Sequence, residues 1–261
     1  MRTPQGKSSE PIIGIISAMQ IEIDTLLTML QSPKTVQIGA LQMTHGTLCN
    51  RHVVLCVCGI GKVFAAMACE AMILHFSPDM IINIGVGGSL IPELGVCHVA
   101  LAQDMVQHDM DTTPLGDPAG WISGLNLIHI PCTKSLVLAL EQAVRSLHIP
   151  YQCGIIASGD SFIGSEKQKA NIKEKFDAIA CEMEGGAIVQ VCYANHVPVA
   201  VLRTISDGAN DDSANDYETF VHRAAQQAMQ IVVQFLSAAL PVQKSRNFLQ
   251  NTIKHSASNR V

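Results

Sequence analysis

Charge is scarce in this chain and nowhere concentrated. Only 15% of its 261 residues are Asp, Glu, Lys or Arg, the formal net charge is -5, and there is no strong basic block. A protein that grips nucleic acid needs a basic face, so that class of partner is excluded. No Cys-x-x-Cys pair occurs among the nine cysteines, and their number is odd. That excludes a disulfide framework and a zinc site of the usual spacing. Most of the nine stand in apolar runs, where a free thiol packs as a small hydrophobe, and a reducing, cytoplasmic setting is the expectation that follows. The first ten residues, MRTPQGKSSE, have no apolar signal core. No stretch approaches the ~20 apolar residues of a membrane helix. The expectation is an unsecreted, soluble protein that needs no membrane. The ten histidines form no close ligand pairs, so no metal is expected.

What is present is a large apolar fraction, 48%, enough for a sizeable core. Short β-branched or apolar runs stand at Ile12–Ile16, Val53–Val57, Met80–Ile84, Gly154–Ala157, Ala178–Ala180 and Val197–Ile205, with an extended segment from Cys97 to Val106. Between them lie stretches of helical spacing or composition: Met19–Leu30, Lys62–Phe76, Ser135–Leu147, Lys167–Phe176, Gly185–Tyr193 and Tyr217–Ala239. Continuous apolar strands alternating with helices describe an α/β sheet covered on both faces. No repeat and no linker divides the chain, and residues 1–10 and 241–261 read as a loose polar start and tail.

In such a sheet ligands gather beyond the carboxyl ends of the strands. There this chain places Ser17-Ala18-Met19 and Glu22, then Gly59-Ile60-Gly61-Lys62, a glycine turn Gly85-Val86-Gly87-Gly88, Ser158–Ile163, Cys181-Glu182-Met183-Glu184 and Thr204-Ile205-Ser206-Asp207. Neither glycine cluster is a G-x-G-x-x-G or a Walker A loop, so a dinucleotide or nucleoside triphosphate site has no support. Singly, each acid has an ordinary reading: Glu22 on a solvated helix face, Glu184 as a first-turn acid complementing a helix dipole, Asp207 as a cap or turn residue. Together, three carboxylates at one sheet edge are candidates for proton transfer or for accepting hydroxyl groups.

Taken in order, these stretches resemble the methylthioadenosine/adenosylhomocysteine nucleosidases of the nucleoside phosphorylase superfamily. The likeness runs over Ile13–Glu22, Gly59–Lys62, Ile81–Gly88, Ser158–Ile163, Cys181–Glu184 and Arg203–Asp207, and spans Pro11 to Leu240. It implies one three-layer α/β domain over residues 11–240, with a central mixed, twisted sheet flanked by helices, assembled as a homodimer without a cofactor. It implies hydrolysis of the N-glycosidic bond of methylthioadenosine and adenosylhomocysteine, with 5′-deoxyadenosine a further candidate, releasing adenine.

The resemblance also assigns roles. Glu22 orients or activates the attacking water, Glu184 holds the ribose hydroxyls, and Asp207, beside Ser206, protonates adenine N7. Phe162 and Ile163 hold the base, Glu182 and Met183 complete the Glu-Met-Glu motif, and Arg203 stands near the acids, counted with the substrate-binding residues. Met19 suits the thioether at the 5′ end, where Tyr217 replaces the usual phenylalanine. Val86 and Gly87, at the glycine turn, replace the usual Ser-Ala. The stretch from Val106 to Pro114 matches a loop that closes the neighbouring subunit's pocket or packs in the dimer.

The chemistry agrees with these roles. Breaking the bond charges the sugar, and adenine leaves readily only when protonated, so a buried acid of raised pKa is required. A phosphorylase would need a cation for phosphate, where this chain has Asn83-Ile84 just before the glycine turn and Glu22 at the mouth. A relative that cleaves aminodeoxyfutalosine, or a binding module that has lost catalysis, are the remaining alternatives; the second would have had no reason to keep all three acids.

Overall fold

The apolar runs form the middle of one mixed ten-stranded sheet. The computed structural model describes residues 10–238; nearly all of the expected loose start and the whole of the expected polar tail lie outside the described residues. Strand β1 (Ile12–Ser17) lies between β4 (Arg51–Val57) and β5 (Met80–Ser89), parallel to both. Beyond β4 come β3 (Leu41–Leu48) and the edge strand β2 (Gln31–Ile38), both antiparallel.

On its other side β5 pairs parallel with β10 (Val199–Asp207) and, at its end, antiparallel with the short β9 (Ala180–Glu182). Strand β10 pairs with β6 (Val99–Gln107), β6 with β8 (Tyr151–Ser158), and β8 with β9. These pairings return to β5, so half of the sheet closes on itself. The two-residue β7 (Ile130–Pro131) adds to β6.

Helix α2 (Lys62–Phe76) packs with α5 (Gly185–Ala194) in one layer. Helix α6 (Ser213–Ser237) lies on β5 and β10 and packs with α3 (Lys134–Ser146) and α1 (Asp24–Met29) in the other. Helix α4 (Glu166–Phe176) covers β8, where Ile172 and Phe176 join a small second core with Val106, Ala157 and Ile163. Among the described residues, no helix is long and apolar enough to cross a membrane.

Several sequence expectations need correction. The stretch from Leu30 to Val53 carries no clear pattern, yet it forms the β2–β3 hairpin. Strand β2 is exposed along nearly its whole length, so no buried face marks it. The helix expected over Met19–Leu30 is broken into a 3-10 turn (Gln20–Glu22) and α1, because Glu22 turns its carboxylate back onto the N–H groups of Ala18 and Met19. Gly85-Val86-Gly87-Gly88 is not a turn: β5 runs through it to Ser89. Strand β9 lies two residues later than the apolar run Ala178–Ala180. Strand β10 extends through Ser206 and Asp207, and α6 starts at Ser213 rather than at Tyr217. The later strand ends put Glu182 and Asp207 on the sheet itself, with less freedom than loop residues have.

Candidate active site

The strand ends open into a concave pocket lined by acids and by apolar and aromatic side chains, the kind of site that takes a small ligand. Of the residues expected at the site, Glu22, Glu184 and Asp207 line it, as do Met19, Val86, Gly87, Phe162, Ile163, Glu182, Met183, Ser206 and Tyr217. Arg203 does not. Ala18, Ile60, Gly88, Ser161 and Cys181 line it as well. Ala18, Gly88, Ser161 and Cys181 each adjoin an expected residue, and Ile60 lies in the Gly59–Lys62 stretch at a strand end, which was the available signal; small or apolar side chains gave no chemical reason to single them out.

Glu22 bridges β1 and β5. Its Oε2 accepts the backbone N–H of Ala18 at 3.0 Å and of Met19 at 2.9 Å, and its Oε1 accepts that of Val86 at 2.9 Å. A Cβ on residue 85 would stand 2.8 Å from Oε1, so the bare backbone of Gly85 admits the acid. Burial pushes the Glu22 carboxyl up, and it outweighs the downward pull of Arg203 and the three N–H donors. A carboxylate made more basic in this way suits proton abstraction from water.

Behind the cavity wall Arg203 is buried among acids. Its Nη2 donates to Glu182 Oε2 and to Asn83 Oδ1 (2.7 Å), its Nη1 to the Leu202 carbonyl (3.0 Å), and Glu184 Oε2 lies 3.8 Å away. Asn83 in turn donates to the Ile16 carbonyl at 3.0 Å. The expectation of Arg203 as a substrate contact is therefore corrected: the strand buries its guanidinium, and the acids use it as their shared counter-ion. Burial favours its neutral form, but Glu182, Glu184 and Glu22 outweigh that and raise its pKa.

Glu182 is committed in the same way. Oε1 accepts from Ser158 Oγ, and Oε2 accepts from Arg203 and from the N–H groups of Glu184 (3.0 Å) and Gly185 (2.7 Å) at the start of α5. Burial would raise its carboxyl, but Arg203, Ser158 and these donors prevail and lower it. A permanent anion thus sits two residues from Glu184. Burial first, and then Glu182, push Glu184 up to about 7. Its Oε1 accepts one backbone N–H, from Gly61 at 2.9 Å. Environments that separate two neighbouring acids in this way commonly mark different tasks.

Asp207 stands at the far end. Ser206 Oγ donates to its Oδ2 at 2.8 Å and the Ala209 N–H to its Oδ1 at 2.9 Å. Burial raises its carboxyl despite these bonds. The adjoining wall carries Phe162, whose ring meets that of Tyr217 edge-on at 5.8 Å and 82°, and Ile163, which is anchored in the second core. The Tyr217 hydroxyl donates to Met19 Sδ at 3.1 Å. The cavity therefore offers an apolar, aromatic slot with Asp207 at one end and Glu22 and Glu184 at the other, all three held above the ordinary carboxyl range. Among the described residues, no Lys, Arg or His lines it, and no group of His, Cys, Asp or Glu is placed to hold a metal ion.

Comparison with known proteins gives a consistent picture. The family model described as the phosphorylase superfamily matches residues 12–237. A Staphylococcus aureus protein named 5'-methylthioadenosine/S-adenosylhomocysteine nucleosidase is 37% identical over 227 residues, covering 87% of this chain and 99% of its own. Among solved structures, S-adenosylhomocysteine nucleosidase from Streptococcus pyogenes in complex with 5-methylthiotubericidin superposes with a TM-score of 0.86 at 32% identity, covering 91% of this chain and all of its own. Futalosine hydrolase of Helicobacter pylori superposes with a TM-score of 0.83 at 31% identity, covering 87% and 97%.

Proposed function

The chain belongs to the methylthioadenosine/adenosylhomocysteine nucleosidase family of the phosphorylase superfamily, and from that premise we propose that it hydrolyses the N-glycosidic bond of 5′-methylthioadenosine and S-adenosylhomocysteine. The products are adenine and the 5-thio-substituted ribose, as in methionine salvage, and 5′-deoxyadenosine is a further substrate of the same kind. The observation that carries the choice of water over phosphate is the cavity's charge. Among the described residues its lining holds Glu22, Glu182, Glu184 and Asp207 and no cation, and the buried Arg203 is already shared among acids. A phosphate dianion placed there would meet carboxylates without a counter-charge.

Position supports a role for each residue. Adenine lies against Phe162 and Ile163 with N7 facing Asp207, whose raised carboxyl gives up its proton as the bond breaks. A placed general acid supplies about 10²–10⁴-fold. Glu184 accepts the ribose hydroxyls. Glu22, with both oxygens fixed by backbone donors, takes the proton of the attacking water. Val86 and Gly87 offer backbone to the sugar, and Met19 and Tyr217 border the 5′ substituent. Glu182 and Arg203 act from behind by setting the charge on Glu184.

Release of free adenine from methylthioadenosine in phosphate-free buffer tests the reading; strict dependence on added phosphate would overturn it. The likeness to futalosine hydrolase favours one second reading, cleavage of a futalosine-type nucleoside. Turnover of methylthioadenosine, adenosylhomocysteine and aminodeoxyfutalosine side by side decides between them.

We further infer a cytoplasmic homodimer. Helix α2 and the loop before it expose Ile60 (55%), Val63 (70%), Phe64 (51%), Met67 (47%) and Leu74 (69%), and large apolar side chains grouped on one exposed element are what an interaction surface presents. Ile60 is also in the cavity wall, so a partner on this stripe would reach the rim of the site, where the loop from Val106 to Pro114 is expected to contribute. Light scattering that gives twice the chain mass supports the dimer; a monomer at micromolar concentration refutes it.

A further inference from the structure

Three loops meet outside the ribose end of the cavity, and one surface acid ties them. Asp109, just after β6, accepts from Lys62 Nζ through Oδ1 at 2.6 Å and from the Asp160 N–H through Oδ2 at 2.9 Å. Asp160, just after β8, accepts the Lys62 N–H at 2.7 Å. Lys62 Nζ also donates to Gln107 Oε1 at 3.2 Å, and Gln107 Nε2 donates to Gln190 Oε1 on α5 at 2.5 Å. The ring closes around Gly61, which holds a φ of +100° and whose N–H is the backbone donor to Glu184 Oε1 at 2.9 Å.

We propose that Asp109 is a positioning residue for the sugar: through Lys62 and Asp160 it holds the Gly61 N–H on Glu184, and so fixes how that carboxylate meets the ribose hydroxyls. The proposal rests on the reading of Glu184 as the hydroxyl acceptor. Glu184 is held by one hydrogen bond, from the Gly61 N–H to Oε1 at 2.9 Å, and by a longer ion contact of Oε2 with Arg203 at 3.8 Å, so the placement of Oε1 depends on how firmly Gly61 is held. Glycine at a positive φ is among the softest backbone positions, so its rigidity must come from outside it. The neighbouring amide at Lys62 is gripped by Asp160, and Asp160 is in turn gripped by Asp109.

The alternative is that the cluster only stabilises the fold, and magnitudes argue against it. The Lys62 and Asp109 side chains are 18% and 29% exposed, and pairs of this kind near the surface contribute little to global stability. A small displacement of a group that orients substrate, by contrast, costs up to about a hundredfold in rate.

The test compares methylthioadenosine with its 2′,3′-dideoxy analogue in Asp109→Asn, Asp109→Ala and the wild-type protein. Thermal melting is measured alongside. The expected result is a loss of about tenfold in kcat/KM for the ribonucleoside, mainly through KM, with the dideoxy analogue changed less than about twofold. Asp109→Glu, which keeps the charge, should recover part of the loss. Should Asp109→Ala melt much lower, Lys62→Gln is read in its place. Equal loss on both nucleosides, or no loss on either, overturns the proposal. Glu184→Gln run on the same pair separates the two premises: if it too affects both nucleosides equally, the ribose reading of Glu184 fails and the proposal with it; if it spares the analogue while Asp109→Asn does not, only the positioning role fails.

Discussion

Asp207 Oδ1 lies 2.8 Å from the point where a Cβ would stand on Gly88. The same Cβ would come within 3.0 Å of Ala209 Cβ and 3.2 Å of Cys181 Sγ, so an alanine at 88 has to push the carboxylate or the loop behind it. Overpacking of this kind costs about 1–3 kcal/mol of stability. The larger effect is expected in kcat, because a displaced acid loses part of its ~10²–10⁴-fold contribution. Gly88→Ala should therefore lower kcat by about 10- to 100-fold in a protein that still folds. Gly124→Ala, where the new methyl meets nothing within 4 Å, is the control. Steady-state kinetics and circular dichroism on both variants check this.

Asp207→Asn keeps the shape of the side chain and removes the proton. We expect nucleoside affinity, measured by calorimetry, to hold while kcat falls about 10²–10⁴-fold. The pH dependence follows from the raised carboxyl. The protonated form is the active one, so kcat in the wild-type protein should fall as pH rises through the Asp207 pKa, and that pKa should lie above the ordinary aspartate value. The Asn variant should lack this limb. A limb that survives the substitution would have to belong to another group.

Much of this arrangement can be read from the chain, and the part that cannot has a common cause. Continuous apolar runs identify β1, β5 and β10 because both faces of those strands are buried, and Glu22 after β1 and Asp207 at the end of β10 are then placed at one edge by topology alone. Strand β2 escapes because it is exposed. Gly85 and Gly88 read as a turn because glycine usually marks one; their actual service is to make room for Glu22 and Asp207, contacts between distant parts of the sequence. Arg203 reads as a substrate contact for a similar reason. Nothing local reveals that Glu182, Glu184 and Asn83 converge on it from other strands.

Glu184 should weaken the fold it serves. Its carboxyl is raised from 4.5 to about 7, so the folded state holds a proton that the unfolded chain gives up. The sign is that of a raised acid: its contribution is fully present below 4.5 and is lost as pH climbs to about 7, a difference of roughly 3 kcal/mol. Glu182 acts in the opposite sense and in another window, because its lowered carboxyl loses its contribution only as pH falls below the ordinary value. Glu184→Gln should then melt higher than the wild-type protein at pH 8 and about equally at pH 5, while adenine release drops. Scanning calorimetry at the two pH values decides it; an equal shift at both would mean the gain is not electrostatic.

The Tyr217 hydroxyl spends its hydrogen bond on Met19 Sδ, and a thioether is a weak acceptor. A better acceptor arriving on the substrate should take that bond. Methylthioadenosine brings another thioether to this end of the cavity, and so offers no gain. A nucleoside with a 5′ hydroxyl, such as adenosine, brings an oxygen. A hydrogen bond exchanged in this way is worth about 0.5–1.5 kcal/mol net, or roughly two- to tenfold in rate. Tyr217→Phe should therefore lower kcat/KM for adenosine by that factor and leave methylthioadenosine unchanged or slightly improved, which sharpens the preference for sulfur. Competition between the two nucleosides, followed by product chromatography, measures the ratio directly. An unaltered ratio would mean that the hydroxyl stays on Met19 throughout turnover and takes no part in choosing the substrate.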